Sequence, residues 1–218
     1  MMKYSLIMMS LALFAACMML RVSCDKKHDK IQSRIYCQDG KQAYLDGDLD
    51  AAIDYYCKAI DCDPSCADAY HRRAWLYMFL DEYDKVISDS TEAIKLDSKI
   101  SDAYFIRGDS YLLTCHYEKA IEDFNKCIEL DPYLAFVYYD RAQAYQKLGE
   151  NDKAIADYTH TIETMSVNEA DKFYLAMAYF HRAQLYDQKG DHDAADADRA
   201  RAIALDPELA EPPTPVNE

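Results

Sequence analysis

A period of 34 residues constrains this chain more than any other feature. "CIELDP" at 127–132 echoes "AIDCDP" at 59–64 and "AIALDP" at 202–207, and Pro64 and Pro132 lie 68 residues apart, twice the period. The period runs from residue 33 to residue 168 and resumes at 176 after seven additional residues. A repeat of this length is one supersecondary unit that buries its apolar face only by stacking on its neighbours. Positions are numbered 1 to 34 within each unit. Position 4 holds Tyr36, Tyr70, Tyr104, Tyr138 and Tyr179; position 8 holds Gly40, Ala74, Gly108, Ala142 and Ala183. Position 20 holds Ala52, Val86, Ala120, Ala154 and Ala195, and position 27 holds Ala59, Ala93, Cys127, Thr161 and Ala202.

These columns describe a helix hairpin. Tyrosines at 4 and 11 are seven apart and share one face of a first helix, A. Small residues at 8 and 20 let helix A approach a second helix, B. Position 15 is the turn, where Gly47, Gly149 and Gly190 supply the left-handed conformation after a helix end. Proline at position 32 ends helix B. Only five glycines and six prolines occur in 218 residues, too few turn formers for a β-sandwich or barrel.

Small residues at 8, 20 and 27, aromatics at 4, 11, 17 and 24 and proline at 32 make the chain resemble the tetratricopeptide repeat (TPR) family. The resemblance implies an all-α fold, a right-handed α-solenoid of five antiparallel helix pairs. The units are 33–66, 67–100, 101–134, 135–168 and 176–209, with a helical insertion at 169–175. A signal or lipobox region (1–24) and a charged tether (25–32) precede them, and a Pro-rich tail (210–218) follows. The resemblance also implies a concave groove lined by positions 2, 5, 9, 12 and 13 of the A helices. Its expected lining is His71, Trp75, Phe105, Asp109, Tyr139, Gln143 and Phe180, with aromatic anchors for a peptide or helix and Asp109 favouring a basic residue. The lysine- and asparagine-based clamp with which some TPR domains grip a C-terminal carboxylate is not matched.

One column pair is particular to this chain. Position 7 is Arg73, Arg107, Arg141 and Arg182; position 23 is Asp89, Asp123, Asp157 and Asp198. The two positions are equidistant from the turn, so the side chains sit level across the hairpin and are expected to pair. The first unit lacks both members, having Asp39 and Tyr55 instead. In the last helix B, Asp196 and Arg199 replace apolar residues, the polar face of a terminal cap. "SVNE" at 166–169 has the form of a capping box with Ser166 and Glu169. The insertion then extends the fifth helix A by about two turns. It carries Phe173 and Tyr174, which either pack on the preceding helix or form a second docking surface, including for another copy of the chain.

The first residues differ in kind. "SLIMMSLALFAACMML" (5–20) carries no charge, short for a membrane-spanning helix and fitting the apolar core of a signal peptide. Cys24, followed by "DKKHDK", resembles the lipidated cysteine of a bacterial lipobox, with Cys17 the alternative. The expected location is the bacterial cell envelope, lipid-anchored and facing the periplasm or exterior. A net charge of −15 argues against nucleic acid, which needs clustered Lys and Arg. No phosphate loop, zinc-protease, nucleophile-elbow or haem motif occurs, and no enzyme activity or cofactor is expected. Cys115 and His116 fall in a turn that offers no pocket. An oxidising compartment would allow a bridge among Cys37, Cys57, Cys62 and Cys66, with connectivity open. The reading is a non-catalytic protein–protein interaction scaffold, or alternatively an adaptor subunit of an envelope enzyme or transport complex.

Overall fold

The computed structural model describes residues 28–165 and 171–210. All of it is helix and turn. Helix α1 covers 28–45. It is followed by α2 (Leu49–Cys62), α3 (Ala67–Phe79), α4 (Tyr83–Leu96), α5 (Ser101–Leu113), α6 (Tyr117–Leu130), α7 (Ala135–Lys147), α8 (Asn151–Thr164), α9 (Lys172–Lys189) and α10 (His192–Leu205). A 3₁₀ turn, Pro207–Ala210, closes the described chain. Each odd-numbered helix pairs with the next even one. Each even one packs on the following odd one, and α3, α5, α7 and α9 also touch in series. That series forms one wall of a solenoid whose units meet only their neighbours.

The small-residue columns are where the helices close. Ala52, Val86, Ala120, Ala154 and Ala195 are fully buried, as are Ala59, Ala93, Cys127, Thr161 and Ala202. At Gly40 and Gly108 a Cβ would come within 2.9 Å of the Tyr56 and Phe124 rings, so glycine lets those aromatics lie flat against helix A. Position 15 has positive φ in every unit: 83° at Gly47, 56° at Asp81, 61° at Cys115, 75° at Gly149 and 81° at Gly190. A side chain there costs about 1–2 kcal/mol, offset in part by the extra unfolded-state freedom that glycine brings. Cys115→Gly is therefore expected to raise the melting midpoint by about 1–3 °C in a thermal unfolding scan.

The ends of the B helices share a device that the proline column obscures. Asp63, Asp97, Asp131 and Asp206, all at position 31, accept from the backbone N–H two residues on, at 3.0–3.2 Å. These side-chain turns redirect the chain into the next unit. They operate even in the second unit, where Ser98 stands in place of proline. The fourth unit has Met165 instead, extended at ψ 138°, where the period breaks.

Some boundaries differ from the sequence reading. Residues 28–32, expected as tether, are already helical in α1. Helix α9 starts at Lys172 behind Asp171, so the insertion adds four helical residues, about one turn rather than two. Cys17, Cys24, Ser166, Glu169 and the tail beyond Ala210 lie outside the described residues.

Candidate functional site

The Arg–Asp pairs form four times with one geometry. Nε and Nη2 of Arg73, Arg107, Arg141 and Arg182 donate to both carboxylate oxygens of Asp89, Asp123, Asp157 and Asp198, at 2.7–2.8 Å. The bidentate match of guanidinium to carboxylate makes each pair directional. The remaining Nη1 crosses to the preceding unit. It donates to Cys57 Sγ, Thr91 Oγ1, Asn125 Oδ1 and Thr159 Oγ1 respectively, at 2.6–3.1 Å. All four acceptors occupy position 25. Each guanidinium also faces at least one tyrosine ring of its own helix; Arg141, for example, lies over Tyr138 and Tyr145 at 5.2 and 5.8 Å. The arginines are thus clasps between successive units and are not available to an external anion. The position-25 column is visible in the sequence, but its role depends on how units stack. Cys57 takes the place of a threonine there.

The inner wall carries a run of aromatics. The rings of Tyr44 and Phe79, Phe79 and Trp75, and Trp75 and Phe105 have centroids 6.2–6.3 Å apart. Tyr44, Tyr56, His71, Arg72, Trp75, Leu76, Phe79 and Asp102 line a cleft of about 410 Å³. Phe79 is 55 % exposed, an apolar ring presented to solvent. His71 lies in this cleft with its Nε2 buried and without a hydrogen-bond partner. Burial pushes its pKa down, so it is neutral at physiological pH.

Further along, Asp109 and Asp140 bring two carboxylates into the array. Asp140 is 9 % exposed, and its only described hydrogen bond is a 3.3 Å donation from Gln143 Nε2 on the same helix. Burial, then the charge of Asp109, hold Asp140 well above the usual carboxylate range. Burial alone pushes Asp109 up to about 6. Neither carboxylate has a cationic partner among the described ion pairs. Sequence reasoning placed Asp109 but missed Asp140, one position beyond the groove column. The available signal was a lone carboxylate where the other units from the second onward have Arg72, Ile106 and His181.

Other expected residues are placed differently. Tyr139 is 5 % exposed, part of the core with Tyr158, and is not a surface anchor. Its backbone position faces the wall, but Tyr174 from the insertion covers it edge-on at 5.4 Å. Tyr174 is therefore a packing residue, and only Phe173, 61 % exposed, stands free of that surface. Phe180 is half-buried beside His181. The Cys37 and Cys66 thiols lie 3.9 Å apart; Cys57 and Cys62 do not join them, and the six described cysteines are unbridged. His116 bonds Thr114 Oγ1 and makes no pair with Cys115. Among the described residues, no group of three or more His, Cys, Asp or Glu is arranged to hold a metal, and no helix is long and apolar enough to cross a membrane.

Sequence profiles of the tetratricopeptide repeat match residues 34–66, 67–100, 101–134 and 133–208. The chain belongs to the tetratricopeptide repeat family. Among solved structures, a TPR protein, MamA, superposes with a TM-score of 0.71 at 26 % identity, covering 86 % of this chain and 98 % of that one. The TPR protein YrrB, described as having an unusual peptide-binding site, gives 0.69 at 19 % identity over 80 % of this chain and 88 % of its own, a likeness of fold. The first TPR domain of Spaghetti (RPAP3), solved with the HSP90 peptide SRMEEVD, gives 0.54 at 26 % identity. It covers 55 % of this chain and 95 % of that one. A 37-residue stretch is 51 % identical to protein SGT1 homolog B of Arabidopsis thaliana, 17 % of this chain and 10 % of that protein. The fold is the all-α TPR superhelix.

Proposed function

We propose that this TPR chain is a non-catalytic scaffold that holds an extended or helical peptide segment of a partner protein in its groove. Aromatic anchors around Trp75 seat apolar side chains of the partner, and a basic side chain reaches Asp109 and Asp140. The observation that carries this reading is the pair of half-buried and buried carboxylates without a cation, beside a run of partly exposed aromatic rings. Burying a carboxylate without a partner is unfavourable, and an incoming ammonium or guanidinium would compensate it. The HSP90 peptide bound in the RPAP3 structure supports peptide binding as a role for a TPR fold. Its acidic EEVD end is the opposite of what this groove favours.

Trp75 is the only tryptophan, so its emission reports on the groove directly. Dodecapeptides with apolar flanks and a central Lys, norleucine or Glu should bind in the order Lys, norleucine, Glu. The Lys peptide should be about tenfold tighter than the Glu peptide, as one charge contact of about 1.4 kcal/mol implies. Equal affinities would remove the basic residue from the proposal, and no binding by any of the three would remove the groove.

The proposal extends to location: a lipid on Cys24 tethers the scaffold to the outer side of a bacterial envelope membrane, where it positions its partners. Support comes from the uncharged 5–20 segment and the abrupt change to charged residues after Cys24. Labelled palmitate should enter the parent protein and the Cys17→Ala variant but not Cys24→Ala. Unchanged labelling in Cys24→Ala would move the anchor to Cys17, and no labelling of the parent protein would remove the lipid.

A further inference from the structure

Two thiols meet in the unit that lacks its own Arg–Asp pair. Cys37 projects from α1, and Cys66 is the N-cap residue of α3. Their sulfurs are 3.9 Å apart. Both belong to one core cluster with Tyr56 and Leu76. The first unit has no Arg–Asp pair: Tyr55, at the aspartate position, stacks on Tyr36 instead. Its link to the second unit therefore rests on apolar packing and on the Arg73 contact with Cys57.

The surroundings of the two sulfurs are unequal. The Cys37 thiol hydrogen-bonds Cys66 Sγ, which sits at the start of α3. That hydrogen bond, opposed by burial and by the Asp68 charge, holds Cys66 down to about 6. Cys37 is pushed far up by its donation to Cys66, by burial and by the Cys66 and Asp68 charges, with Arg72 pulling weakly the other way. The asymmetry favours the thiolate on Cys66 and the proton on Cys37. The nucleophile is the sulfur at the helix N-terminus, a setting that generates reactive thiolates.

We propose that Cys37 and Cys66 are a thiol–disulfide exchange site whose oxidation staples α1 to the junction of the first and second units. The co-reactant is a small disulfide, R–S–S–R. The Cys66 thiolate attacks one of its sulfurs, forms a mixed disulfide and expels RS⁻. Cys37 then loses its proton to that RS⁻, giving RSH, and attacks the Cys66 sulfur, expelling a second RS⁻. In total, R–S–S–R, Cys37–SH and Cys66–S⁻ become the Cys37–Cys66 disulfide, RSH and RS⁻, with two electrons passing to the small disulfide. The closed segment contains α2 and its turn, and the bond ties down the unit that lacks its own Arg–Asp pair. Tyr56, in the same cluster, lines the aromatic cleft with His71 and Trp75, so the bond also stiffens that end of the groove. Of the six described cysteines, only Cys37 and Cys66 have their sulfurs in contact with each other.

The test uses the full chain equilibrated with glutathione disulfide or with dithiothreitol, then alkylated, digested and mapped by mass spectrometry. A Cys37–Cys66 cross-linked peptide is expected in the oxidised sample. Its melting midpoint should be raised by about 5 °C over the reduced sample. Cys37→Ser should stop at a glutathione adduct on Cys66, and alkylation of Cys66 should lose its midpoint near pH 6 and shift upward. Alkylation of both thiols at every glutathione ratio would overturn the proposal, as would a cross-link through Cys57 or Cys62. The parent map alone decides this, whether or not the variant folds.

Discussion

Arg107→Ala is expected to destabilise the protein by about 3–5 kcal/mol, the usual consequence of removing one partner from a buried ion pair. Asp123 is 6 % exposed and would keep its charge in place without the two guanidinium bonds that satisfy it. The same change removes the donor to Thr91 in the preceding unit and the cation over Tyr104. The lesion falls in the central repeat, and a solenoid has no long-range contacts to bridge it. Urea unfolding should therefore show a lower midpoint and a split transition, with the two ends of the array melting separately. Arg107→Lys should recover little, since an ammonium is a point donor that cannot span two carboxylate oxygens and a neighbouring hydroxyl at once. Arg107→Met with Asp123→Leu should recover most of the stability. If the single and double variants were equally unstable, the clasp would be adding stability rather than specifying register.

The second large effect is a dependence on pH. Asp109 is pushed up to about 6, and Asp140 is held well above the ordinary carboxylate range. A carboxyl whose folded pKa is raised binds protons more readily in the native state than in the unfolded chain. Stability from these two groups is thus fully present below the unfolded value of 3.8 and is lost as pH rises through their folded values. Asp109 alone corresponds to a difference on the order of 3 kcal/mol between pH 4 and pH 7.5. Asp109→Asn/Asp140→Asn should accordingly be more stable than the parent at pH 7.5, with the gap narrowing toward pH 5. The comparison cancels the buried His71 and His181, whose lowered pKa values act in the opposite direction. The variant should also lose its preference for the Lys peptide over norleucine. A stabilising substitution that removes selectivity is what a binding site with uncompensated charge predicts. A variant no more stable than the parent at pH 7.5 would mean that water already satisfies both carboxylates.

Much of this molecule was legible in one dimension. The 34-residue period located both helices of each unit because core positions recur with the helical turn. The small-residue columns marked where the helices touch. The Arg–Asp pairing was readable because positions 7 and 23 are equidistant from a turn, and a hairpin forces equidistant positions level. All of these are relations within a unit, where the chain is short and the geometry is that of two antiparallel helices.

What escaped the sequence lies between units. The third arginine contact, to position 25, depends on the rotation from one hairpin to the next. So does the covering of Tyr139 by Tyr174, which removed an expected groove anchor. Asp140 shares its repeat position with Arg72, Ile106 and His181, a column without a common chemistry, and only the packing of neighbouring units brings its charge near Asp109. Of four candidate thiols in the first unit, spacing alone singled out none, and only the packing of α1 against the start of α3 brought Cys37 to Cys66. The sequence by itself determined the family, the five hairpins and the pairing inside them, because local periodicity dictates local structure. Only the tertiary structure decided which side chains of different units meet, because the stacking angle between hairpins is the sum of many side-chain contacts that no single repeat contains.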